Sequence, residues 1–359
     1  MTDLLTATMA RVVRADIQGL HAYAVQPSAG MVKVDTMENP HPLPPALQQA
    51  LGNRLGRVAI HRYPAERGDD LKAALAAHAG LPAGCSLMLG NGSDELITLL
   101  SMACALPGAV FMSPLPSFVM YGLSAALQGV QFVGVPLTSD FDLDEAAMLA
   151  ATKKHQPTIV YLAYPNNPTA NLWDDAVIEN IIAAAPGLVV MDEAYQPFAS
   201  RSYIDRVARH PHVLLMRTLS KFGLAGVRLG YMMGPRALIA QVDKVRPPYN
   251  ISVLNAEAAL FALEHAPVFA AQAQDLREQR DRLQRMLALL PGVKSWPSDA
   301  NMILVRVPDA GKTFDGMKSR GVLVKNVSKM HPLLANCLRL TVGTADENTQ
   351  MMAALEASL

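Results

Sequence analysis

The 359-residue chain has no surplus of charge, since 31 Lys and Arg balance 31 Asp and Glu. That removes the broad positive field that draws proteins to polyanions, so nucleic acid is not an expected partner. Cysteine is scarce. Cys85, Cys104 and Cys337 are odd in number, far apart and without CxxC spacing, which argues against a disulfide framework or a zinc site and fits a reducing cytoplasm. No apolar run reaches the roughly 20 residues that cross a bilayer. The longest, Leu96 to Met112, contains Thr98, Ser101 and Pro107-Gly108, so no membrane contact is expected. The N-terminus carries Asp3 and has no apolar core behind a basic start, unlike a signal peptide. Familiar fingerprints are missing too. Gly311-Lys312-Thr313 has Arg306 where the first glycine of a nucleotide-binding loop belongs, and Gly223, Gly226 and Gly230 miss the dinucleotide spacing. There is no GxSxG elbow, and the nine histidines form no HExxH pair, so no metal is expected.

Apolar residues are plentiful at 51%, and the length exceeds what one core usually serves, so two lobes are expected. Residues 1–33 read as an arm that packs on something else, 34–250 as a large domain and 251–359 as a smaller α+β domain. From about 69 to 250, helix-like stretches such as Asp69 to Ala79, Asp94 to Ala105 and Asp174 to Ala185 alternate with short apolar runs. Thr158 to Ala163, Leu188 to Asp192 and Val213 to Met216 are strand-like. This rhythm predicts an α/β fold with a mostly parallel sheet covered by helices, whose ligands sit at the carboxyl ends of strands. A long helical region is expected from about Val253 to Leu290, followed by alternating strands at Met302 to Val307 and Leu338 to Val342.

Four motifs follow these runs. In Arg217-Thr218-Leu219-Ser220-Lys221-Phe222-Gly223, a lysine just past a buried strand can lose charge by desolvation and become a nucleophile toward an aldehyde. Thr218, Ser220 and Arg228 can grip a phosphate beside it. A surface lysine is the plainer reading of Lys221 alone; the clustered hydroxyls, glycines and arginine argue against it. Asp192 ends an apolar strand, and a buried acid needs a cation, such as a protonated pyridine nitrogen; Tyr195 follows three residues later. Asn167 lies between Pro165 and Pro168, which aim its amide. Gly90-Asn91-Gly92-Ser93-Asp94-Glu95 opens a helix, with Ser93 or Asp94 as cap and free amides as an anion seat. Phe118 offers a face for stacking.

Together these residues resemble the fold-type-I pyridoxal-phosphate (PLP)-dependent aminotransferases of class II, and among them the branch acting on histidinol phosphate. The likeness runs in order from Tyr23 and Glu38-Asn39-Pro40 through Tyr63-Pro64, Asn91 to Glu95, Pro165 to Thr169, Asp192 to Tyr195 and Ser220-Lys221 to Ser298-Asp299-Ala300-Asn301 and Leu338-Arg339. It implies a seven-stranded, mostly parallel sheet and PLP bound covalently to Lys221. By the same resemblance Asp192 meets the pyridine nitrogen, Asn167 and Tyr195 the phenolic oxygen, and Phe118 the ring. Gly92, Ser93, Asp94, Thr218, Ser220 and Arg228 form the phosphate cup. Tyr63 reaches the neighbouring subunit's cofactor in a homodimer. Tyr23, Asn39, Arg339 and Lys325 take the substrate side, with Lys325 replacing an arginine. Ala170 stands where relatives have glycine, which suits a position needing no positive φ. The turn after Lys221 is one residue shorter than usual.

The implied reaction is transamination of histidinol phosphate with 2-oxoglutarate, giving imidazole-acetol phosphate and glutamate. The alternatives are an aromatic-amino-acid aminotransferase or a threonine-phosphate decarboxylase on the same scaffold. A regulator without turnover is disfavoured because the arm leaves no room for a helix-turn-helix module.

Overall fold

A computed structural model describes residues 2–20, 26–64 and 67–359. The centre is a seven-stranded sheet. After β1 (Val32–Lys33), its strands are β2 (Cys85–Gly90), β3 (Val110–Leu115), β4 (Gln131–Pro136), β5 (Ile159–Ala163), β6 (Leu188–Asp192), β7 (Val213–Thr218) and β8 (Gly230–Pro235). Their spatial order is β2-β8-β7-β6-β5-β3-β4, and only β8 runs antiparallel to its neighbours. The expected parallel sheet is present.

The sheet is buried on both faces, which is why β5, β6 and β7 read as unbroken apolar runs. Side chains alternate across it. Val160, Leu162, Val189, Met191, Val213 and Leu215 pack against the helices Arg67–Ala79, Asp175–Ala184 and Val253–Glu264. Ile159, Tyr161, Val190, Leu214 and Met216 face the helices Gly92–Cys104, Met120–Leu127 and Arg236–Val242. On this second face the same alternation carries Asp192 and Thr218.

A second body contains a four-stranded antiparallel sheet, β12-β13-β10-β9, built from β9 (Lys294–Ser295), β10 (Met302–Arg306), β12 (Lys325–Asn326) and β13 (Cys337–Thr341). A short strand, β11 (Val322–Leu323), instead pairs in parallel with β1. The sheet packs on the helices Ala310–Ser319 and Ala345–Glu356, the latter opened by a Thr344–Glu347 capping box.

One difference from expectation has a clear cause. The long helical region is two helices, Val253–Glu264 and Ala266–Leu287; Pro267 sits in the first turn of the second, where its missing N–H costs nothing. Val253–Glu264 packs with the large core, and the chain crosses to the second core along Ala266–Leu287, where Phe269 belongs to the first and Ala273 to the second. Val34 and Met37, early in the chain, also sit in the second core. No helix among the described residues is long and apolar enough to cross a membrane.

Candidate active site

The carboxyl ends of three adjacent parallel strands open into one cleft of about 930 Å³. β5 leads into Asn167, β6 ends on Asp192, and β7 leads through Thr218 and Ser220 to Lys221. All of these line the cleft, with Ser93, Asp94, Phe118, Tyr195, Arg228, Arg339 and Lys325. Residues up to 303 apart in sequence, Thr36 and Arg339, thus surround one space.

Lys221 and Asp192 are both moved toward neutrality. Burial lowers the Lys221 amine to about 8, helped by the Arg339 and Arg228 guanidiniums and opposed by Glu38 and Asp94. Its Nζ donates to the Thr36 carbonyl at 2.9 Å and lies 5.9 Å from the centre of the Tyr195 ring. Burial raises the Asp192 carboxyl to about 6, although the Tyr121 hydroxyl at 2.7 Å and the Ala194 N–H at 3.1 Å favour its ionised form. A buried acid facing a cleft is stable as an anion only opposite a cation.

Beneath the cleft Glu193 and Arg217 form a buried ion pair at 2.9 Å, each adjoining a site residue, Asp192 and Thr218. Glu193 also accepts from the Ser202 hydroxyl and the Tyr203 N–H, and Arg217 donates to Ser202. The pair ties the end of β6 to the end of β7.

The cup expected for a phosphate is assembled. Thr218 Oγ1 donates to Ser220 Oγ at 3.0 Å, and the Arg228 guanidinium reaches Ser220 Oγ at 3.4 Å and Asp94 Oδ2 at 3.5 Å. Gly92 has φ +79°, and a Cβ there would lie 2.8 Å from Arg228 Nη2, so glycine makes room for the guanidinium. The helix begins at Gly92 with Asn91 as its N-cap residue. Neither Ser93 nor Asp94 is the cap, a correction: both lie in the first turn, where helix amides are free of intrahelical partners, and both line the cleft. The shortened turn after Lys221 is spanned by a wide helical turn, Ser220–Leu224, with Gly223 at φ +133° and Arg228 in the left-handed region at φ +54°.

Arg339 also lines the cleft and is buried. Its Nη1 donates to Asn167 Oδ1 at 2.7 Å and its Nη2 to the Asp35 carbonyl at 2.7 Å. Engaging Oδ1 leaves the Asn167 Nδ2 donor for the cleft. Lys325 stands directly across from Arg339 in the β12–β13 ladder.

Other expected residues lie elsewhere. Asn39 lies beside the turn after Lys221 rather than in the cleft lining, its Nδ2 donating to Gln272 and its Oδ1 accepting from the His41 N–H, both at 2.9 Å. The neighbouring Thr36 and Glu38 occupy that wall instead. Tyr63 is exposed, stacks on Tyr249 at 4.7 Å, and lines a separate hollow with Arg54, Arg57 and Arg62. Tyr23 lies outside the described residues. Ala170 has φ +66° and is fully buried, so this position does adopt a positive φ despite the alanine. Tyr121 and the Glu193–Arg217 pair were not singled out from sequence; a tyrosine in the apolar run Met120 to Leu127 and charges beside a strand end give no local signal.

These residues fit PLP. An amine held near neutrality can meet its aldehyde, a buried carboxylate its ring nitrogen, Phe118 its ring, and the Gly92–Arg228 cradle its phosphate. Sheet and cleft define a group-transfer enzyme of the aminotransferase class. The chain belongs to the aminotransferase class I and II family, which matches residues 29–355. It is 69% identical over 358 residues to the histidinol-phosphate aminotransferase of Methylibium petroleiphilum, covering 99% of this chain and 96% of that protein. It is 68% identical to that of Polaromonas naphthalenivorans, with 99% and 98% covered. The histidinol-phosphate aminotransferase of Sinorhizobium meliloti, solved in complex with pyridoxal-5'-phosphate, superposes with a TM-score of 0.84 at 27% identity, covering 96% of each chain.

Proposed function

We propose that the chain binds PLP on Lys221 and transaminates histidinol phosphate with 2-oxoglutarate, yielding imidazole-acetol phosphate and glutamate. The observation that carries the reading is that Lys221 and Asp192 line one cleft together with an arginine–hydroxyl cup. The names of relatives matching nearly the whole chain supply the substrate.

Bound there, PLP supplies an aldehyde that condenses with an amine and a ring that takes up the electron pair left when a Cα–H bond breaks. The remaining work falls to the chain. Neutral Lys221 Nζ would take the proton from the substrate Cα and deliver it to the former aldehyde carbon rather than back to Cα, and an amine titrating near 8 is suited to both roles near neutral pH. As an anion, Asp192 would keep the proton on the ring nitrogen. Asn167 Nδ2 and the Tyr195 hydroxyl would donate to the phenolic oxygen, and Phe118 would pack against the ring. Arg339 takes a carboxylate or phosphate, with Lys325 alongside as a point charge.

A homodimer with shared sites belongs to the same reading. Exposed Ile60, Tyr63 and Tyr249, and Leu4 and Leu5 in the arm, favour contact with a second copy, to which Tyr63 and Tyr23 would lend their side chains. We assign 1–33 to the arm, 34–250 to the cofactor-binding domain and 251–359 to the smaller domain, with the helix Val253–Glu264 bridging back onto the former. Three free cysteines suit a reducing cytoplasm.

Absorbance spectroscopy of PLP-loaded protein tests this. Histidinol phosphate should convert the visible band to the amine form and release imidazole-acetol phosphate, faster than phenylalanine does, and Lys221→Ala should abolish both. Equal rates with phenylalanine would refute the substrate, and undiminished turnover by Lys221→Ala the catalytic assignment.

A further inference from the structure

Tyr121 sits on the helix Met120–Leu127, fully buried, on the same sheet face as Asp192. Its ring cannot swing: it stacks on Tyr161 with centroids 4.5 Å apart and planes 5° from parallel, and meets the Phe118 edge at 5.6 Å. Its hydroxyl donates to Asp192 Oδ2 at 2.7 Å, while the Ala194 N–H donates to Oδ1 at 3.1 Å. The carboxylate is held at both oxygens, so its rotation is fixed by one side-chain donor and one backbone donor.

We infer that Tyr121 is a positioning residue of the reaction, acting through Asp192: its hydroxyl sets the plane of the carboxylate and keeps it an anion for the cofactor's ring nitrogen. The inference rests on the PLP reading above. The other charged groups facing Asp192 work against the anion. Asp94, from the helix Gly92–Cys104, and Glu193, the next residue, both favour its protonated form, as does burial. The Tyr121 and Ala194 donors oppose them, and only Tyr121 does so through a replaceable group. Tyr121 thereby links Phe118, which would stack on the cofactor, to the acid that would meet its ring nitrogen.

The first test needs no cofactor. Infrared titration of the cofactor-free protein, with the Asp192 carboxyl band assigned by its loss in Asp192→Asn, gives the midpoint of this one group. A hydrogen bond to a charged acceptor should make Asp192 in Tyr121→Phe bind its proton about 10- to 100-fold more tightly. An unmoved midpoint would overturn the inference. The second test is the PLP dissociation constant across a double-mutant cycle. Tyr121→Phe should weaken binding about tenfold when Asp192 is present and leave it nearly unchanged in the Asp192→Asn background. Equal weakening in both would show a merely structural tyrosine and also overturn it. Should Tyr121→Phe not fold, 3-fluorotyrosine placed at 121, a more acidic donor of similar size, should lower the midpoint; no change there counts against the inference. Failure of the PLP reading looks different: the unmodified protein would form no Lys221-dependent absorbing adduct, whereas the carboxyl titration would still report on Tyr121.

Discussion

Arg217→Met removes one partner of an ion pair that is almost wholly withdrawn from water, with Glu193 1% and Arg217 6% exposed. Breaking such a pair costs about 3–5 kcal/mol, because a buried carboxylate is left without its cation. Glu193 would keep the Ser202 hydroxyl and the Tyr203 N–H, which places the cost toward about 3 kcal/mol. Adding Glu193→Gln removes the orphaned charge while an amide oxygen still accepts from those two donors, so the double variant should recover most of the loss. Urea unfolding of the cofactor-free protein, comparing midpoints at constant slope, measures each step. PLP affinity should follow the same order, because the pair adjoins Asp192 on β6 and Thr218 on β7. A loss under about 1 kcal/mol for Arg217→Met, or a double variant no more stable than the single, would refute the view that this pair holds the strand ends together.

Three further outcomes follow from the same structure. Asp192 has its folded pKa raised from 3.8 to about 6, so its contribution is fully present below pH 3.8 and is lost as pH rises through 6; about two pH units correspond to about 3 kcal/mol. Cofactor-free Asp192→Asn should therefore be more stable than the parent at pH 7 and lack its decline between pH 4 and 6.5, and an unchanged pH profile by thermal melting would count against it. Lys221 has its pKa lowered from 10.5 to about 8, so the fold carries a penalty below pH 8 that is relieved between pH 8 and 10.5, by no more than about 3 kcal/mol because the cleft admits water. Lys221→Met should flatten that rise, and the rate of adduct formation with PLP should climb with a midpoint near pH 8. Ala170→Val forces a β-branched residue to φ +66° in a fully buried site and should cost about 2 kcal/mol or more by urea unfolding. Ala170→Gly should be nearly neutral, since about 1–2 kcal/mol of backbone relief is offset by a lost buried methyl and a more flexible unfolded chain.

What could be read from the sequence divides along a physical line. β5, β6 and β7 were legible because a strand buried on both faces must be apolar throughout, and the residues just beyond it sit at the mouth of the sheet. Asp192, Lys221 and Asn167 are therefore marked by position as well as type. β8 was not legible: Gly230-Tyr231-Met232-Met233-Gly234-Pro235 has turn residues at its ends, and its glycines serve close packing, with a Cβ at Gly230 meeting the Gly92 backbone at 2.6 Å. The helix Glu145–His155 escaped notice because it presents little apolar surface and is declared mainly by its Asp144 cap.

Side chains whose roles depend on distant partners were the least legible. Asn39 has the residue type of a substrate ligand, but Gln272 and the His41 N–H take both ends of its amide, contacts set by how the helix Ala266–Leu287 packs. Tyr121 has the type of a core residue and is one, yet its hydroxyl crosses 71 positions of sequence to reach Asp192. A buried tyrosine must place its hydroxyl on some partner, and in an α/β sheet the polar groups within reach cluster at the carboxyl ends of strands. A tyrosine on the first turn of a helix that follows such a strand end is therefore a candidate for the machinery of the site rather than for the core alone.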